Sequence, residues 1–404
     1  MKKTVLTLII YFVLTFFIFP CTTAVVSGKA TNDGRPLLLK NRDADALQNK
    51  LVYFFDGKYR FMGLVNSEDI NNKEVWCGFN EFGFGIMNSA SYNLKVNDTT
   101  KISDLEGIIM KMALEQCKTL EDFEKMLNDL PKPLGVEANF GVIDANGGAA
   151  YYETDNFKFI KFDVNDPAVA PNGYLIRTNF SISGQENKGY GYIRYQTASE
   201  IFSKKYDNGK LSFEFLINDV PRCLVHSFTN TDLTKNLPDE KQNNFVYFKD
   251  YIPRHSTSAA IVIQGVKENE SASFTTMWSI IGFPLTSVVV PIWLLDDGSL
   301  PKVLVADETG NAPLCNLALK LKDKVFSNQN DASENYLNLA ELMNKENTGV
   351  RQVLIPIEDA ILSKSKQKLN GWRESKINQT EAKDFYNWVD ENVLNEMKSK
   401  FQMN

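Results

Sequence analysis

The 404-residue chain has a formal net charge of -6, with 44 Lys and Arg set against 50 Asp and Glu. Its lysines are scattered among carboxylates, so it has no polybasic surface to neutralise phosphates, and nucleic acid is excluded as a partner. It holds only two histidines, His226 and His255, and five cysteines, at 21, 77, 117, 223 and 315, without metal-type spacing; zinc sites and a Ser-His-Asp triad are therefore poor starting points, and no cofactor or metal is expected.

Met1-Lys2-Lys3 precedes an apolar run from Val5 through Phe19 that ends at Pro20, which matches the charged and apolar regions of an export signal. The run falls short of the roughly 20 residues that cross a bilayer, and no basic stop signal follows it. The later apolar stretch Ser279 to Leu295 is broken by Pro284 and Pro291 and reads as buried sheet. The expectation is a removed segment 1–20 and one catalytic domain over 21–404. This domain would be exported to the periplasm or the extracellular space, with no stable membrane span after processing and with homo-oligomerisation left open. An odd cysteine count in a disulfide-permitting compartment leaves at least one thiol unpaired, and Cys21 is the candidate.

From Thr22 to Asp98 the pattern is short strands at Ala24–Ser27, Pro36–Lys40, Leu51–Phe55, Val75–Phe79 and Phe84–Ser89, separated by turn residues. Two helices follow. The first is read as opened by Ser103 with Glu106 in a capping box, and the second begins at Thr119 and is stopped by Pro131. Strands return at Asn139–Asp144 and Ala149–Glu153, joined as a hairpin through Asn-Gly-Gly, then at Phe157–Phe162 and Tyr174–Thr178. Residues 197–205 and 211–218 read as helix; 258–264, 272–281 and 285–293 read as strand. Helices are expected at 332–344, 356–368 and 380–401, the last with Phe385, Trp388, Val389, Val393 and Met397 near one docking face. Met110, Met112 and Met126 read as core filler, Cys77, Cys117, Cys223 and Cys315 as small buried residues, and both histidines as structural.

A cysteine exposed at the mature N-terminus combines two catalytic parts, because its thiol can attack a carbonyl while its α-amine, with a pKa of about 8, accepts the proton. No histidine is then needed. The strand after Cys21, the Asn32-Asp33-Gly34 turn and the strand ending Lys40-Asn41-Arg42-Asp43 form a hairpin that returns Lys40, Arg42 and Asp43 to the Cys21 end.

This opening resembles the N-terminal nucleophile hydrolases of the choloylglycine hydrolase and penicillin V acylase group. It is more similar to the acyl-coenzyme A:6-aminopenicillanic acid acyltransferase-like branch. Further matching stretches are Gly78-Phe-Asn-Glu-Phe-Gly83, Ala138-Asn-Phe-Gly-Val-Ile-Asp144, Arg177-Thr-Asn179, Ile193-Arg-Tyr195 and Met277-Trp-Ser-Ile-Ile-Gly-Phe-Pro284. The resemblance implies an α+β fold, a four-layer αββα sandwich with two antiparallel sheets, and hydrolysis of linear amides or acyl transfer on a small-molecule amide substrate. It also implies a nucleophile at Cys21, an acidic partner for the α-amine at Asp43, oxyanion contacts around Asn179 and an arginine beside the cysteine at Arg194. Two departures stand out. Bile-salt hydrolases carry Arg-Asn-x-Asp where this chain has Lys40-Asn41-Arg42-Asp43, so either Lys40 or Arg42 supplies the cation; and Asn88, the match to an oxyanion asparagine, lies closer to the preceding turn. Two other readings stay open, a related-fold cysteine dipeptidase and a lipidated surface binding protein. Lipidation would consume both thiol and amine, and the bulky Ile18, Phe19 and Pro20 before Cys21 argue against it. Pro20 also fits ordinary signal cleavage poorly, which leaves self-cleavage by Cys21 open.

Overall fold

A computed structural model of the chain describes residues 21–95, 98–328, 332–373 and 375–403. The proposed export segment 1–20 lies outside the described residues.

The chain opens with β1 (Thr22–Val26), β2 (Leu37–Asp43), β3 (Asn49–Phe54), β4 (Phe61–Asn66), β5 (Cys77–Asn80) and β6 (Gly85–Ala90). Helices α1 (Glu106–Gln116) and α2 (Leu120–Asp129) precede β7 (Ala138–Ile143), β8 (Ala149–Thr154), β9 (Phe159–Asp163) and β10 (Tyr174–Arg177). Then come α3 (Tyr192–Asp207), β11 (Thr257–Gln264), β12 (Thr276–Ile281), β13 (Val290–Ile292), α4 (Pro313–Val325), α5 (Val350–Trp372) and α6 (Gln379–Phe401). Strands β3 to β9 form a seven-stranded meander in chain order, and a six-stranded sheet runs β10-β1-β2-β11-β12-β13. Every pairing in both sheets is antiparallel.

The sheets pack face to face. Tyr151 of β8 donates its hydroxyl to Thr23 Oγ1 of β1 at 2.9 Å, and a Cβ built on Gly141 of β7 would lie 2.8 Å from Val25 Cγ2, an approach that only glycine allows. Outside the meander, α1 and α2 bury Ile109, Met110, Leu114, Phe123 and Leu127 against Phe84, Phe140 and Tyr152. Outside the other sheet, Phe202 of α3 packs on Tyr174, and Trp293 meets Trp372 of α5 and Phe385 and Tyr386 of α6. The result is the expected α+β arrangement of four αββα layers. Because both sheets are covered on both faces, β1 and β2 are buried along their whole length. In β1 that suits Thr-Thr-Ala-Val-Val; in β2 it forces Lys40, Asn41, Arg42 and Asp43 out of water, which is tolerated only where such groups are paired or used.

Several local expectations need correction. Ser103 does not cap α1: its N–H donates to Gly135 O, and the helix starts at Glu106 after Leu105. The capping box lies instead at Thr119 and Asp122, opening α2. The segment 332–344 is not one helix, because Tyr336–Asn338 pairs with Phe245–Tyr247 and leaves only Leu339–Leu342 helical. Of 285–293, only Val290–Ile292 is strand, and 272–274 is a 3₁₀ turn ahead of β12. In 211–218 only a short helical turn forms, continuing as a π-turn at Phe215–Asp219. Helix α5 starts six residues before Pro356, because Gln352 Oε1 accepts from the Gly349 and Asn344 N–H groups and fixes an earlier first turn. Strand β4 and helix α4 were not anticipated. Of the expected docking face on α6, Phe385, Val389, Val393 and Met397 are buried and Trp388 is half-buried.

Candidate active site

Cys21 sits at the start of β1, in the interior of the six-stranded sheet, and is 6% exposed. The ladders pair Thr22 with Asn41 of β2 and Thr23 with Arg177 of β10. Continued by one and two residues, they place Arg42 beside Cys21 on one side and Asn179 on the other. Cross-strand neighbours in an antiparallel pair project to the same face. The hairpin thus returns Lys40, Arg42 and Asp43 to the cysteine as the sequence implies, and the Cys21 thiol lies 3.9 Å from the Asp43 carbonyl oxygen, towards which it donates.

Strand alternation divides the charges of β2 between two faces. Lys40 and Arg42 face the meander. Lys40, 1% exposed, donates from Nζ to Asn88 Oδ1 at 2.5 Å and to the Trp76 carbonyl at 2.7 Å. Arg42 donates to Asn49 Oδ1 at 2.8 Å, Ser258 Oγ at 3.1 Å and Asn66 Oδ1 at 2.7 Å, and its guanidinium lies over the Trp76 ring. None of these partners carries a charge. Burial pushes Lys40 down to about 8 and Arg42 down to about 10, and in both the strongest opposing influence is the negative form of Cys21.

Asp43 projects to the other face. It is 2% exposed, accepts from Thr257 Oγ1 at 2.5 Å and pairs with Arg254 Nε at 2.7 Å. Arg194 of α3 reaches the same region from outside the sheet: Nη1 donates to the Cys21 carbonyl and to Thr22 Oγ1, and Nη2 donates to Asn179 Oδ1 at 2.8 Å. Burial brings Arg194 down to about 9, with Arg254 lowering it further and Asp43 and Cys21 opposing. Gly191, at φ +85°, caps α3 because a Cβ there would strike Arg194 Nη2 at 2.3 Å. The Asn179 amide donates to Ala90 O at 3.0 Å, so its oxygen and one N–H are both committed. The Asn88 oxygen is fixed on Lys40, which turns its two N–H donors away from the ammonium.

An aromatic rim borders the site. Phe180 stacks on Tyr192 with centroids 4.3 Å apart, and Tyr92 meets Tyr190 edge-on at 5.3 Å. Tyr190 is 47% and Tyr192 40% exposed. The rim is tied to the site because Tyr190 N–H donates to the Asn179 carbonyl.

The chain matches the family model described as acyl-coenzyme A:6-aminopenicillanic acid acyl-transferase over residues 30–237. It belongs to that family. The likeness to this acyltransferase branch read from the sequence is borne out by that match. Solved structures similar to it include a Caenorhabditis elegans N-acylethanolamine-hydrolyzing acid amidase ortholog, 16% identical, covering 60% of this chain and 92% of that one, with TM-score 0.39. Others are a conjugated bile acid hydrolase from Clostridium perfringens (12% identity, 68% and 92% covered, TM-score 0.38) and the penicillin V acylase of Agrobacterium tumefaciens (13%, 68% and 87%, 0.37). Comparison with curated proteins gives no match.

Cys21, Asp43, Asn179 and Arg194 are joined by direct contacts around the start of β1, and Lys40, Arg42 and Asn88 are joined in a second group through Lys40 and Trp76. Sequence reading missed Arg254 and Thr257, which hold Asp43, and Trp76, whose carbonyl and ring receive the two β2 cations. A basic residue just ahead of a predicted apolar strand was the available signal for Arg254. All five cysteines are buried and unpaired, and no three-residue metal-type cluster occurs among the described residues. His226 Nδ1 accepts from Thr229 N–H and caps a short turn, a structural role.

Proposed function

We propose that this chain is an exported hydrolase of linear N-acyl amides. Removal of residues 1–20 frees the α-amine of Cys21, which takes the thiol proton as sulfur attacks the amide carbonyl. The tetrahedral oxyanion is held by amide N–H groups of Asn88 and Asn179; its collapse breaks the C–N bond, the α-ammonium protonates the leaving amine, and a thioester remains. Water then adds to the thioester and releases the acid and the thiol, whereas an acceptor amine in place of water gives acyl transfer. Asp43 orients the α-amine. The aromatic rim of Phe180, Tyr190 and Tyr192 offers apolar surface to the acyl part.

The observation that carries this reading is a set of three buried cations around the start of β1: Arg194 on the Cys21 carbonyl, and Lys40 and Arg42 on the paired strand with neutral hydrogen-bond partners. Cations held without a neutralising carboxylate favour negative charge that develops during the reaction. While residues 1–20 remain attached, the Cys21 nitrogen is an amide and cannot act as base, so processing is an activation step. The test is N-terminal sequencing of the secreted protein, with activity of wild type, Cys21→Ser and Cys21→Ala measured across an amide panel. A mature N-terminus at Cys21 and loss of turnover in Cys21→Ala are expected. Equal turnover in Cys21→Ala, or an active form with Cys21 internal, refutes the proposal.

A further inference from the structure

The stretch Ala138-Asn-Phe-Gly-Val-Ile-Asp144 supplies β7, and Asn139 within it is fully buried, a place an asparagine keeps only when its amide is paired. In the ladder Asn139 stands between Ser89 of β6 and Glu153 of β8, so the three side chains share one face of the meander. That face looks towards the six-stranded sheet, because Tyr151, two residues before Glu153, projects from it to Thr23 of β1.

The Asn139 amide makes three bonds, and two of them go to the residues that follow Asn179. Nδ2 donates to Phe180 O at 3.3 Å and to Ser89 Oγ at 3.2 Å, while Oδ1 accepts from Ser181 Oγ at 2.6 Å. Neighbouring side chains hold the same stretch. Glu153 pairs with Arg177 and accepts from the Ile182 and Ser183 N–H groups. Asn93 accepts from Ser181 N–H at 2.8 Å and donates to Ser181 O at 2.9 Å and to Gln185 O at 3.1 Å. Asn179 is thus bracketed: Arg177 before it and Phe180 to Gln185 after it are tied to the meander, although Asn179 itself follows β10 of the other sheet.

The ladder between β1 and β10 ends at the Thr23–Arg177 pair, so the position of Asn179 depends on bonds from outside it. Arg194 and Ala90 O hold its side chain and Tyr190 N–H its carbonyl, whereas the backbone just after it is held by Asn139.

We propose that Asn139 is a positioning residue of this hydrolase: it fixes the Phe180–Ser181 backbone against the meander, and through it the Asn179 amide at the oxyanion and Phe180 in the aromatic rim. The assignment rests on the oxyanion role given to Asn179 above. A carboxamide suits the place because it is neutral and both donates and accepts. A carboxylate there would stand across the pair from Glu153 and have no N–H for Phe180 O.

The test is a double-mutant cycle on kcat, with processed wild type, Asn139→Ala, Asn179→Ala and the double variant assayed on one amide. Asn139→Ala should lower kcat about tenfold or more, part of the roughly 10²-fold loss expected when an oxyanion donor is removed, and should raise KM for long acyl chains as Phe180 shifts. In the Asn179→Ala background the same change should lower kcat by less than about twofold, since the residue it acts through is gone. An equal loss in both backgrounds overturns the positioning role and leaves the oxyanion reading standing. Wild-type kcat in Asn179→Ala overturns that reading and the positioning role with it. Should Asn139→Ala fail to fold, Ser181→Ala decides, because it removes the donor to Asn139 Oδ1 and should lower kcat only when Asn179 is present. Hydrogen exchange reads the clamp without turnover: the 179–185 backbone of folded Asn139→Ala should exchange about tenfold or more faster, as loss of one buried bond allows, and unchanged exchange there overturns the proposal.

Discussion

Replacing Lys40 by methionine separates what this ammonium does for the fold from what it does for the reaction. The change leaves two buried acceptors, Trp76 O and Asn88 Oδ1, without their donor, at about 1–3 kcal/mol each. Against this, the variant no longer buries a cation. The fall from 10.5 to about 8 in Lys40 corresponds to about 3 kcal/mol of disfavoured charge, and methionine fills a similar volume with an apolar chain. The two effects partly cancel, so the unfolding free energy from urea titration should fall by no more than about 3 kcal/mol. Turnover should not be spared. Without Lys40 the Asn88 amide loses the contact that fixes which end faces the site, and loss of one oriented oxyanion donor lowers kcat by about 10²-fold. The assay is kcat and KM for the best amide at pH 7, with chemical denaturation of both proteins. Lys40→Arg should keep much of the activity and move the alkaline decline of kcat upward from about pH 8, because arginine does not release its proton in that range. A Lys40→Met protein with more than half of wild-type kcat would refute the reasoning.

Arg254→Met should cost about 2 kcal/mol of stability in denaturant titrations, less than a fully buried pair because the Arg254 side chain is 15% exposed, and should lower kcat through a misplaced Asp43. Gly191→Ala combines left-handed backbone strain of about 1 kcal/mol with displacement of the Arg194 guanidinium, so kcat should fall by more than stability alone explains; an alanine variant with wild-type kcat would show that Arg194 placement is unimportant. In Glu358, burial opposes ionisation but is outweighed by Arg222 and Arg351, and its carboxyl falls from 4.5 to about 2. Its contribution is therefore fully present above pH 4.5 and lost as pH falls towards 2, and urea midpoints at pH 3 and pH 6 should differ less in Glu358→Gln than in wild type.

What could be read from the sequence followed from local rules. The return of Lys40, Arg42 and Asp43 to Cys21 depends only on one hairpin, and the Thr119 start of α2 and the β7–β8 turn depend on a few adjacent residues. What escaped depends on distant chain. Asp43 is held by Arg254 and Thr257 over 211 and 214 residues, and no spacing rule connects them. The segment 332–344 has apolar residues at helical spacing, yet Tyr336–Asn338 pairs with Phe245–Tyr247, so tertiary pairing overrides propensity there. Helix α4 did carry a usable signal, Pro313 at its first position and Leu314, Leu317, Leu321 and Val325 on a buried face. The Arg177-Thr-Asn179 stretch is partly structural: Arg177 pairs with fully buried Glu153, whose carboxylate also accepts from the Ile182 and Ser183 N–H groups and anchors the chain beyond Asn179.

The cost of this site explains where it lies in the fold. Buried lysine and arginine are rare in sheet interiors because each loses hydration that neutral hydrogen bonds only partly replace. In β2 the alternation that would continue the apolar Leu37-Leu38-Leu39 run gives way to Lys40 and Arg42 at the end where Cys21 begins β1, and both project towards the same inter-sheet space as the cysteine. A fold selected for stability alone would continue leucines to the strand end. Asn88, Trp76, Asn49, Asn66 and Ser258 each present an oxygen to these two cations, and none supplies a negative charge. The cations are thus held in place without being neutralised. In the proposed reaction, the negative charge that develops on the substrate meets two cations that no carboxylate has neutralised.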